Sequence, residues 1–419
     1  MIKPLFLSIC FILLNLISHA QFNGWGVYDS TNSPLPSSLV TSVSVGANNK
    51  VWIGTNMGLA SFEDLIDWKV YTTSNSNIAS NWISRVKVAP NNIAWYATQS
   101  GSVGYFNNNT FTNFTAANSP LGAFPVTDLA FDGNIVWFTT QGAGVFKYDN
   151  GSWTQYAEST LGLPLDAAQC IHIDQDGKKY IGTYNEGVFI FDNTNWTRVY
   201  NLNANMPLNN IATIYKEDAN LVWLGIGVQR NDSSLLKYNF TSVQILDESM
   251  MNGIQTSNIR HVNVDHNGVK WIASNDDDKG GLIRYNDTTY SVFRQFSSGL
   301  PSNRVYETAM DDSSNLWIAT FKGLAAYNEA NAYLSTESEL SPKWISAWPN
   351  PARDILNFEL AETADFSFRV FNVIGVEVLA QKQTQSNKAL VDVSHLSQGV
   401  YFVSISQSNS SYLLRFIKQ

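Results

Sequence analysis

The sequence predicts an all-β protein, a seven-bladed β-propeller followed by a small immunoglobulin-like β-sandwich. Three observations lead to this fold class. Only 15% of the 419 residues are charged, whereas 13% are aromatic. Short runs rich in Val, Ile, Tyr, Phe and Trp alternate with clusters of Asn, Gly, Asp and Ser, a pattern typical of strands and turns. The phrase "VWIGTNMGLASF" at Val51 to Phe62 returns as "LWIATFKGLAAYN" at Leu316 to Asn328.

The repeat has a period in the low forties of residues. An aromatic residue recurs at intervals of 43, 42, 43, 43, 48 and 46 residues, at Trp52, Trp95, Trp137, Tyr180, Trp223, Trp271 and Trp317. Such a period, with several short strands in each unit, is the signature of a β-propeller, whose four-stranded blades bury their faces against their neighbours. Because the aromatic recurs in every unit, we expect it to pack between blades rather than to stack on a ligand.

The last unit lacks one strand. Its inner strand is "RVYETAMD" (Arg304 to Asp311), and "LWIAT" and "GLAAYN" follow, but no outer strand comes after them. A matching outer strand stands at the other end of the chain, as "WGVYD" at Trp25 to Asp29. We therefore predict that the N-terminal strand completes the seventh blade and closes the ring, which hides the sheet edges.

The repeated phrases resemble the two-component-regulator propeller repeat. The best matches to its Trp-Ile-Gly-Thr and Gly-Leu marks are Trp52, Ile53, Gly54, Thr55, Gly58 and Leu59. The resemblance covers Trp25 to Asn328 and implies the propeller fold. In that family the propeller is often the periplasmic sensing part of a kinase-bearing regulator, so the resemblance is specific for fold and says little about function.

The N-terminus resembles a secretory signal peptide. A basic start at Lys3 precedes an apolar run from Leu5 to Ile17, and "SHA" stands before Gln21. We expect cleavage after Ala20 and no later membrane anchor. The predicted division of the chain is a signal peptide at 1–20, the propeller at 21–328, a linker at 329–344 and a C-terminal domain at 345–419.

The C-terminal region has alternating strands separated by "IG", "SQG" and "SNSS", which predict a small β-sandwich. It closely resembles the type A C-terminal sorting domain of the type IX secretion system. The residues that carry the resemblance are Pro349, Asn350, Pro351, Gly375, Gly399, Tyr401 and Lys418. The resemblance implies that the type IX machinery is a partner and that the protein becomes extracellular or bound to the outer-membrane surface. The alternative is an ordinary immunoglobulin-like adhesion domain.

Charge and cysteine content narrow the classes of partner. Without residues 1–20 the chain has a net charge of about −10, which argues against a nucleic-acid or anionic-membrane partner. Cys170 would then be the only cysteine, so no intramolecular disulfide is expected and the thiol is predicted to be a buried core residue.

Candidate site residues are expected where the repeats differ. The third position of the inner strands is occupied by Ser42, Arg85, Asp128, Cys170, Thr213, His261 and Glu307. Inner strands lie nearest the propeller axis, so these side chains are predicted to surround the central channel. Arg85, Asp128, His261 and Glu307 are candidates for part of a binding funnel. The alternative is that they are hydrogen-bonded channel linings without a ligand.

Loops on one face of the propeller form the second candidate site. Trp82 precedes an inner strand, and Tyr184, Arg230 and Phe321 fall in loops between second and third strands. Binding usually involves loops that a rigid scaffold positions, and exposed aromatic side chains there can stack on sugar rings. The alternative is that they are ordinary surface residues.

Signals for metals, cofactors and catalysis are weak. Asp276, Asp277 and Asp278 could hold a calcium ion, but a solvated acidic loop is favoured, and no metal or cofactor is predicted. There is no nucleophile elbow, zinc-protease motif or phosphate-binding glycine loop. The streptogramin lyase is also a seven-bladed propeller with a His base and a metal-binding carboxylate, roles for which His172, His261 and Glu307 could be considered. Its Trp-Phe-Thr-Glu phrase appears at 137–140 without the acid.

The sequence therefore favours a secreted or cell-surface, non-catalytic binding protein whose propeller presents a site for a glycan or a protein. Two alternatives remain. One is a lyase or hydrolase on the same scaffold, which would need His261 and Glu307. The other is a surface adhesin, in which the propeller provides contact area only.

Overall fold

The computed structural model describes residues 24–63, 67–200, 209–227, 234–246, 249–251, 254, 256–295, 297–329, 346–349, 351–372, 377–407 and 410–419. The predicted signal peptide and residues 330–344 of the predicted linker lie outside these ranges, as do Arg230, Asn350 and Gly375. The chain divides into two compact units, Met1–Ala332 and Tyr333–Gln419. The predicted domain boundaries themselves stay predictions.

The described part of the first unit is built from antiparallel sheets of four strands each, seven in number. A sheet of this kind forms because apolar residues fill its second and third strands on both faces, while Gly, Asn and Asp occupy the turns. In chain order the strands are β1 (Trp25–Tyr28), β2 (Val40–Val45), β3 (Val51–Thr55), β4 (Gly58–Phe62), β5 (Lys69–Tyr71), β6 (Ile83–Val88), β7 (Ala94–Thr98), β8 (Val103–Asn107), β9 (Thr110–Phe114), β10 (Val126–Asp132), β11 (Ile135–Thr140), β12 (Gly144–Asp149), β13 (Ser152–Tyr156), β14 (Ala168–Ile173), β15 (Lys179–Thr183), β16 (Val188–Phe191), β17 (Trp196–Val199), β18 (Ile211–Asp218), β19 (Leu221–Ile226), β20 (Leu235–Tyr238), β21 (Val243–Leu246), β22 (Ile259–Val264), β23 (Lys270–Ser274), β24 (Gly281–Tyr285), β25 (Tyr290–Phe293), β26 (Val305–Met310), β27 (Leu316–Thr320) and β28 (Gly323–Tyr327). A 3-10 turn, Ala47–Asn49, and a one-turn helix, α1 (Glu158–Leu161), lie in the connections.

Six sheets are consecutive in the chain, from β2–β5 to β22–β25, and the seventh has the order β1-β28-β27-β26. In the seventh sheet β1 pairs antiparallel with β28, with Trp25 opposite Tyr327 and Tyr28 opposite Leu324. The Trp25 ring is buried, and its centroid lies 4.7 Å from that of Tyr327. The prediction that the N-terminal strand completes the last sheet is confirmed.

The first strands of the sheets, β2, β6, β10, β14, β18, β22 and β26, are called the inner strands here. Each contacts the inner strand of the sheet before and after it, and β26 contacts β2, so the order of contacts returns to its start. The repeated aromatic residues fill the spaces between sheets. Trp52 packs with Ile83 and Val86 of the next sheet, and Trp317 packs with residues of the first sheet such as Val43. Packing between sheets, which we expected for these aromatics, is confirmed.

In two of the sheets the polar edge of the repeated aromatic residue donates to an aspartate. The indole Nε1 of Trp271 donates to Asp265 and that of Trp317 to Asp311, each at 3.0 Å. These aspartates lie in the hairpins that follow the inner strands. Asp265 Oδ1 accepts two backbone N–H groups of its own turn, at 2.9 and 3.0 Å. These aspartates therefore stabilise the turns of their own sheets.

The described residues of the second unit form five strands in one connected sheet, in the order β29-β30-β32-β33, with β31 also paired to β30. Phe358, Phe368, Val403 and Phe416 are among its fully buried core residues. The strands are β29 (Ser346–Trp348), β30 (Ile355–Asn372), β31 (Glu377–Asp392), β32 (Gly399–Gln407) and β33 (Ser410–Lys418). An immunoglobulin-like topology for this unit stays a prediction.

Among the described residues, no helix is long and apolar enough to cross a membrane.

Candidate functional site

The third residues of the inner strands surround a central cavity, where the sequence placed them. The cavity has a volume of about 150 Å³ and is lined by six of the seven inner strands. All four residues proposed for the binding funnel line it, namely Arg85, Asp128, His261 and Glu307. Thr213 and Cys170 line it as well, whereas Ser42 is fully buried beside it.

A β-bulge places these third residues. In every inner strand the pairing with the second strand shifts just before this position, for example between Val40 and Ser42 and between Val305 and Glu307. A bulge turns a side chain away from the regular alternation of a strand and leaves one residue unpaired. The repeat therefore directs seven variable side chains toward the axis without changing the rest of the sheet.

Several of these side chains bridge adjacent sheets. Glu307 Oε2 accepts the backbone N–H of Val43 at 3.3 Å, and Asp128 Oδ2 accepts that of Ile171 at 3.1 Å. Ser42 Oγ accepts the N–H of Val86 at 3.0 Å in the same way. In each case the side chain accepts the backbone N–H of the fourth residue of the next inner strand. The polar character of these positions thus has a structural cause.

Asp128 is the electrostatic centre of one side of the cavity. Its Oδ1 lies 2.7 Å from Lys87 Nζ and 3.9 Å from Arg85 Nε. Burial alone would raise the pKa of this carboxyl, but the charges of Lys87 and Arg85 hold it below its ordinary value. Asp128 is therefore an ionised, paired carboxylate rather than a proton donor at neutral pH.

His261 and Glu307 face each other across two neighbouring inner strands, with 3.9 Å between Nε2 and Oε1. Nδ1 of His261 accepts the backbone N–H of Thr308 at 3.3 Å. Burial lowers the pKa of His261, although the Glu307 carboxylate acts in the opposite direction. Burial and the charge of Lys87 lower the pKa of His172 to about 4. Both imidazoles are consequently neutral near pH 7.

Cys170 is buried, as expected, and its Sγ lies 3.6 Å from the carbonyl oxygen of Ile211. Burial and the Asp128 carboxylate raise the pKa of the thiol. A thiol of this kind is not a reactive nucleophile.

Three aromatic residues of the candidate loops, Trp82, Tyr184 and Phe321, lie on the same side of the ring. We call this side the entry face because the inner strands begin there. Backbone hydrogen bonds join the residue after each second strand to the residue before the inner strand: Gln99 N to Trp82 O, Tyr184 N to Ala167 O and Phe321 N to Arg304 O. Trp82 and Tyr184 are each 50% exposed, and Phe321 is 41% exposed. The Phe321 ring is partly covered by the Arg304 guanidinium, 5.0 Å from its centroid.

The entry face carries further apolar side chains that the sequence reasoning missed. Met57, Phe124, Leu161 and Met250 are exposed, and each lies in a connection between second and third strands or between an outer strand and the next inner strand. Phe124 stands shortly before an inner strand, as Trp82 does, so the same criterion would have found it. Every exposed large apolar side chain in the described part of the first unit lies on this face.

The acidic loop on the entry face is engaged by the protein itself. Asp277 accepts hydrogen bonds from the Nε and Nη2 atoms of Arg304, the first at 2.8 Å. Asp276 Oδ1 accepts the backbone N–H groups of Asp278 and Lys279. Within the described ranges, no group of three or more His, Cys, Asp or Glu side chains is arranged to hold a metal ion.

The marks of the C-terminal domain have structural positions as well. The Tyr401 hydroxyl donates to the carbonyl oxygen of Ser397 at 2.9 Å, and its ring stacks on Phe416. Lys418 is buried and pairs in register with Gly399, while Pro349 and Pro351 are exposed at a shallow depression.

Comparison with known protein families identifies this tail. Residues 346–419 match the secretion system C-terminal sorting domain. The chain carries a type IX secretion sorting domain. Such a tail directs a protein to the cell surface or the extracellular space, and it implies interaction with the secretion machinery. Among curated proteins, no sequence matches the chain.

The fold of the chain is similar to that of several solved β-propeller structures. The extracellular domain of a hybrid two-component system from B. thetaiotaomicron superimposes with a TM-score of 0.63 at 20% identity, covering 94% of this chain and 57% of that one. PorZ, a surface component of the type-IX secretion system of Porphyromonas gingivalis, gives 0.54 at 17% identity, covering 91% and 60%. Streptogramin B lyase gives 0.58 at 14% identity, covering 73% and 97%.

These identities establish a common fold and no more. The chain spans little more than half the length of the first two structures, 57% and 60%. The predicted resemblance to two-component-regulator propellers is confirmed at the level of fold, and the protein is a secreted or surface-located propeller protein.

Proposed function

We propose that this protein is a seven-bladed propeller, followed by an immunoglobulin-like sorting domain, that captures a glycan or a protein on its entry face without catalysing a reaction. The seven four-stranded sheets would be the blades, and the contact between β26 and β2 would close the ring. The sorting tail would deliver this face to the cell exterior.

One observation carries the proposal: in the described part of the first unit, the exposed large apolar side chains are confined to one face. Trp82, Phe124 and Tyr184 belong to three consecutive sheets, so they form an arc on the entry face. Water-exposed aromatic rings cost free energy unless a partner covers them, and their concentration on scaffolded loops is typical of binding surfaces. The opposite face has Asp, Asn and Gly turns instead.

The absence of catalysis is proposed from the state of the cavity residues. His261 Nδ1 already accepts the backbone N–H of Thr308, and Asp128 is held as an ion by Lys87. Glu307 already accepts the N–H of Val43. These groups are committed to contacts between sheets, so they have little capacity left for proton transfer to a substrate.

The test is binding of residues 21–419 to an array of polysaccharides and oligosaccharides. Saturable binding to one glycan class, weakened at least about tenfold in Trp82→Ala and Tyr184→Ala, would support the proposal. Trp348→Ala is a matched control, because Trp348 is 41% exposed but belongs to the second unit. Arg230→Ala tests the remaining candidate of the sequence analysis.

Two other outcomes would replace the proposal. Turnover of a bound glycan that is lost in His261→Ala and Glu307→Ala would favour the lyase alternative, which the fold similarity to streptogramin B lyase keeps open. Attachment to cells or surfaces without any saturable ligand would favour an adhesin.

A further inference from the structure

Among the residues that the structure describes, one arginine of the central cavity, Arg260, forms no ion pair with an acidic side chain. Arg260 is the second residue of β22 and lines the cavity near the entry face. Its Nε is buried and has no hydrogen-bond partner in the part of the chain that the structure describes. Burial and the nearby Arg85 guanidinium both lower the pKa of Arg260. A guanidinium nevertheless stays protonated at any physiological pH, so a cation is held here in unfavourable surroundings.

The charges around the cavity do not balance. Arg85, Lys87 and Arg260 contribute three positive charges, and Asp128 and Glu307 contribute two negative ones. The two carboxylates are already used. Asp128 is paired with Lys87 at 2.7 Å, and Glu307 accepts hydrogen bonds from Ser42 and from the N–H of Val43. The two histidines that line the cavity are neutral near pH 7, so they neither add to the positive charge nor offset it.

The hydrogen-bond donors of the Arg85 guanidinium are also only partly paired. Its Nε lies 3.9 Å from Asp128 Oδ1, which is beyond hydrogen-bond distance, and its Nη1 donates to the carbonyl oxygen of Ser84. Two guanidinium groups from different sheets thus reach the same enclosed space with donors to spare. Planar guanidinium groups are suited to carboxylate, phosphate and sulfate, whose oxygens accept paired N–H donors.

We propose that the cavity binds one small oxyanion between the guanidinium groups of Arg260 and Arg85. A volume of about 150 Å³ corresponds to roughly five water molecules, which suits a small ion with part of its hydration and excludes an oligosaccharide. The oxyanion can be a free ion or the acidic group of a small ligand, because both present the same oxygens. This site is separate from the exposed aromatics of the entry face and does not depend on glycan capture there.

The test uses residues 21–419, titrated calorimetrically with phosphate, sulfate, acetate and galacturonate at constant ionic strength in chloride. Galactose serves as the uncharged counterpart of galacturonate. We expect saturable binding of at least one oxyanion at a stoichiometry of one, weakened at least about tenfold by Arg260→Gln and by Arg85→Gln. Binding of phosphate or acetate would indicate a site for a free ion, whereas preference for galacturonate would indicate an acidic sugar.

Controls separate this site from other effects. Lys147→Gln removes the same charge from β12, where Lys147 pairs with Asp149 outside the cavity, and should leave oxyanion affinity unchanged. Trp82→Ala should also leave it unchanged, which distinguishes the cavity from the proposed glycan face. Arg260→Met should melt no lower than the wild type in chloride alone, because an unpaired buried charge is removed, and should show no rise in melting temperature with oxyanion.

The proposal would be overturned if no oxyanion binds the wild type more tightly than chloride does. It would equally be overturned if Arg260→Gln and Arg260→Met bind the oxyanion with wild-type affinity. Should Arg260→Gln fail to fold, Arg260→Lys, which keeps the charge but not the paired donors, provides the comparison, and the wild-type titration still decides.

Discussion

The strand that closes the ring, β1, is anchored by two buried aromatic side chains, Trp25 and Tyr28, and removal of Trp25 is the sharpest test of the architecture. Trp25 is 4% exposed and lies between Tyr327, at 4.7 Å between ring centroids, and Phe293, at 5.5 Å. It belongs to the buried cluster that joins the last two sheets, together with Leu300 and Trp271. Trp25→Ala removes this contact and leaves the four-residue strand β1 with its backbone pairing and with Tyr28, which is buried against Phe62 and Trp317.

The magnitude follows from the buried area. A buried Trp side chain removes about 150–250 Å² from water, worth about 4–6 kcal/mol at roughly 25 cal/mol per Å². Ala retains the Cβ, and the unfolded chain already buries part of the ring. We therefore expect Trp25→Ala to lower the free energy of unfolding by about 3–5 kcal/mol, the range for large-to-small changes in cores.

The measurement is urea unfolding of residues 21–419, followed by intrinsic fluorescence and circular dichroism. Trp82→Ala is the control, because it removes the same side chain from a site that is 50% exposed, and it should change stability by no more than about 0.5 kcal/mol. Equal effects of the two substitutions would contradict the closure by β1. A large effect of Trp25→Ala confined to a separate early transition would instead show that the strand detaches alone.

Three further predictions concern packing, pH and sorting. Gly225→Ala should destabilise the protein by about 1–3 kcal/mol in thermal unfolding, because its Cβ would lie 2.6 Å from Ile259 Cγ2, whereas at Gly26 the nearest atoms are 3.8 Å away and alanine should be tolerated. Asp128→Asn should cost about 1.5–3 kcal/mol at pH 7. Lys87 and Arg85 hold the pKa of Asp128 below 3.8. The stability difference between the wild type and Asp128→Asn is therefore complete above pH 3.8 and is lost as the pH falls through the lowered pKa. A stability difference that persists in strong acid would contradict the pairing. Deleting 346–419 should abolish surface or extracellular location in a host with a type IX system, and surface labelling that is unaffected would refute the role of the tail.

The candidate site shows how far residue types alone can mislead about function. Arg85, Asp128, His261 and Glu307 vary between repeats, which made them candidates for binding. In the structure Asp128, His261 and Glu307 bridge adjacent sheets, because each accepts a backbone N–H from the next inner strand. Arg85 makes no such bond and, with Arg260, is the part of the cavity with unused donors. Arg260 was overlooked because it occupies the second position of its strand rather than the third.

The sequence by itself determined the strand pattern, the sheet repeat, the closing partner of the last sheet and the sorting tail. These follow from local order: the phrase around Trp52 recurs because every sheet buries the same side chain, and the strand at Trp25 matches the outer strands because it pairs as one. Period and residue type are properties of the chain that need no coordinates.

Only the tertiary structure decided which groups meet. Ser42 and Glu307 are 265 residues apart, yet they share a hydrogen bond because the ring brings the first and last inner strands together. The charge imbalance at Arg260 and the arc of Trp82, Phe124 and Tyr184 likewise arise from residues on different sheets. Burial, pKa and exposure depend on neighbours in space, and in a closed ring those neighbours are distant in sequence.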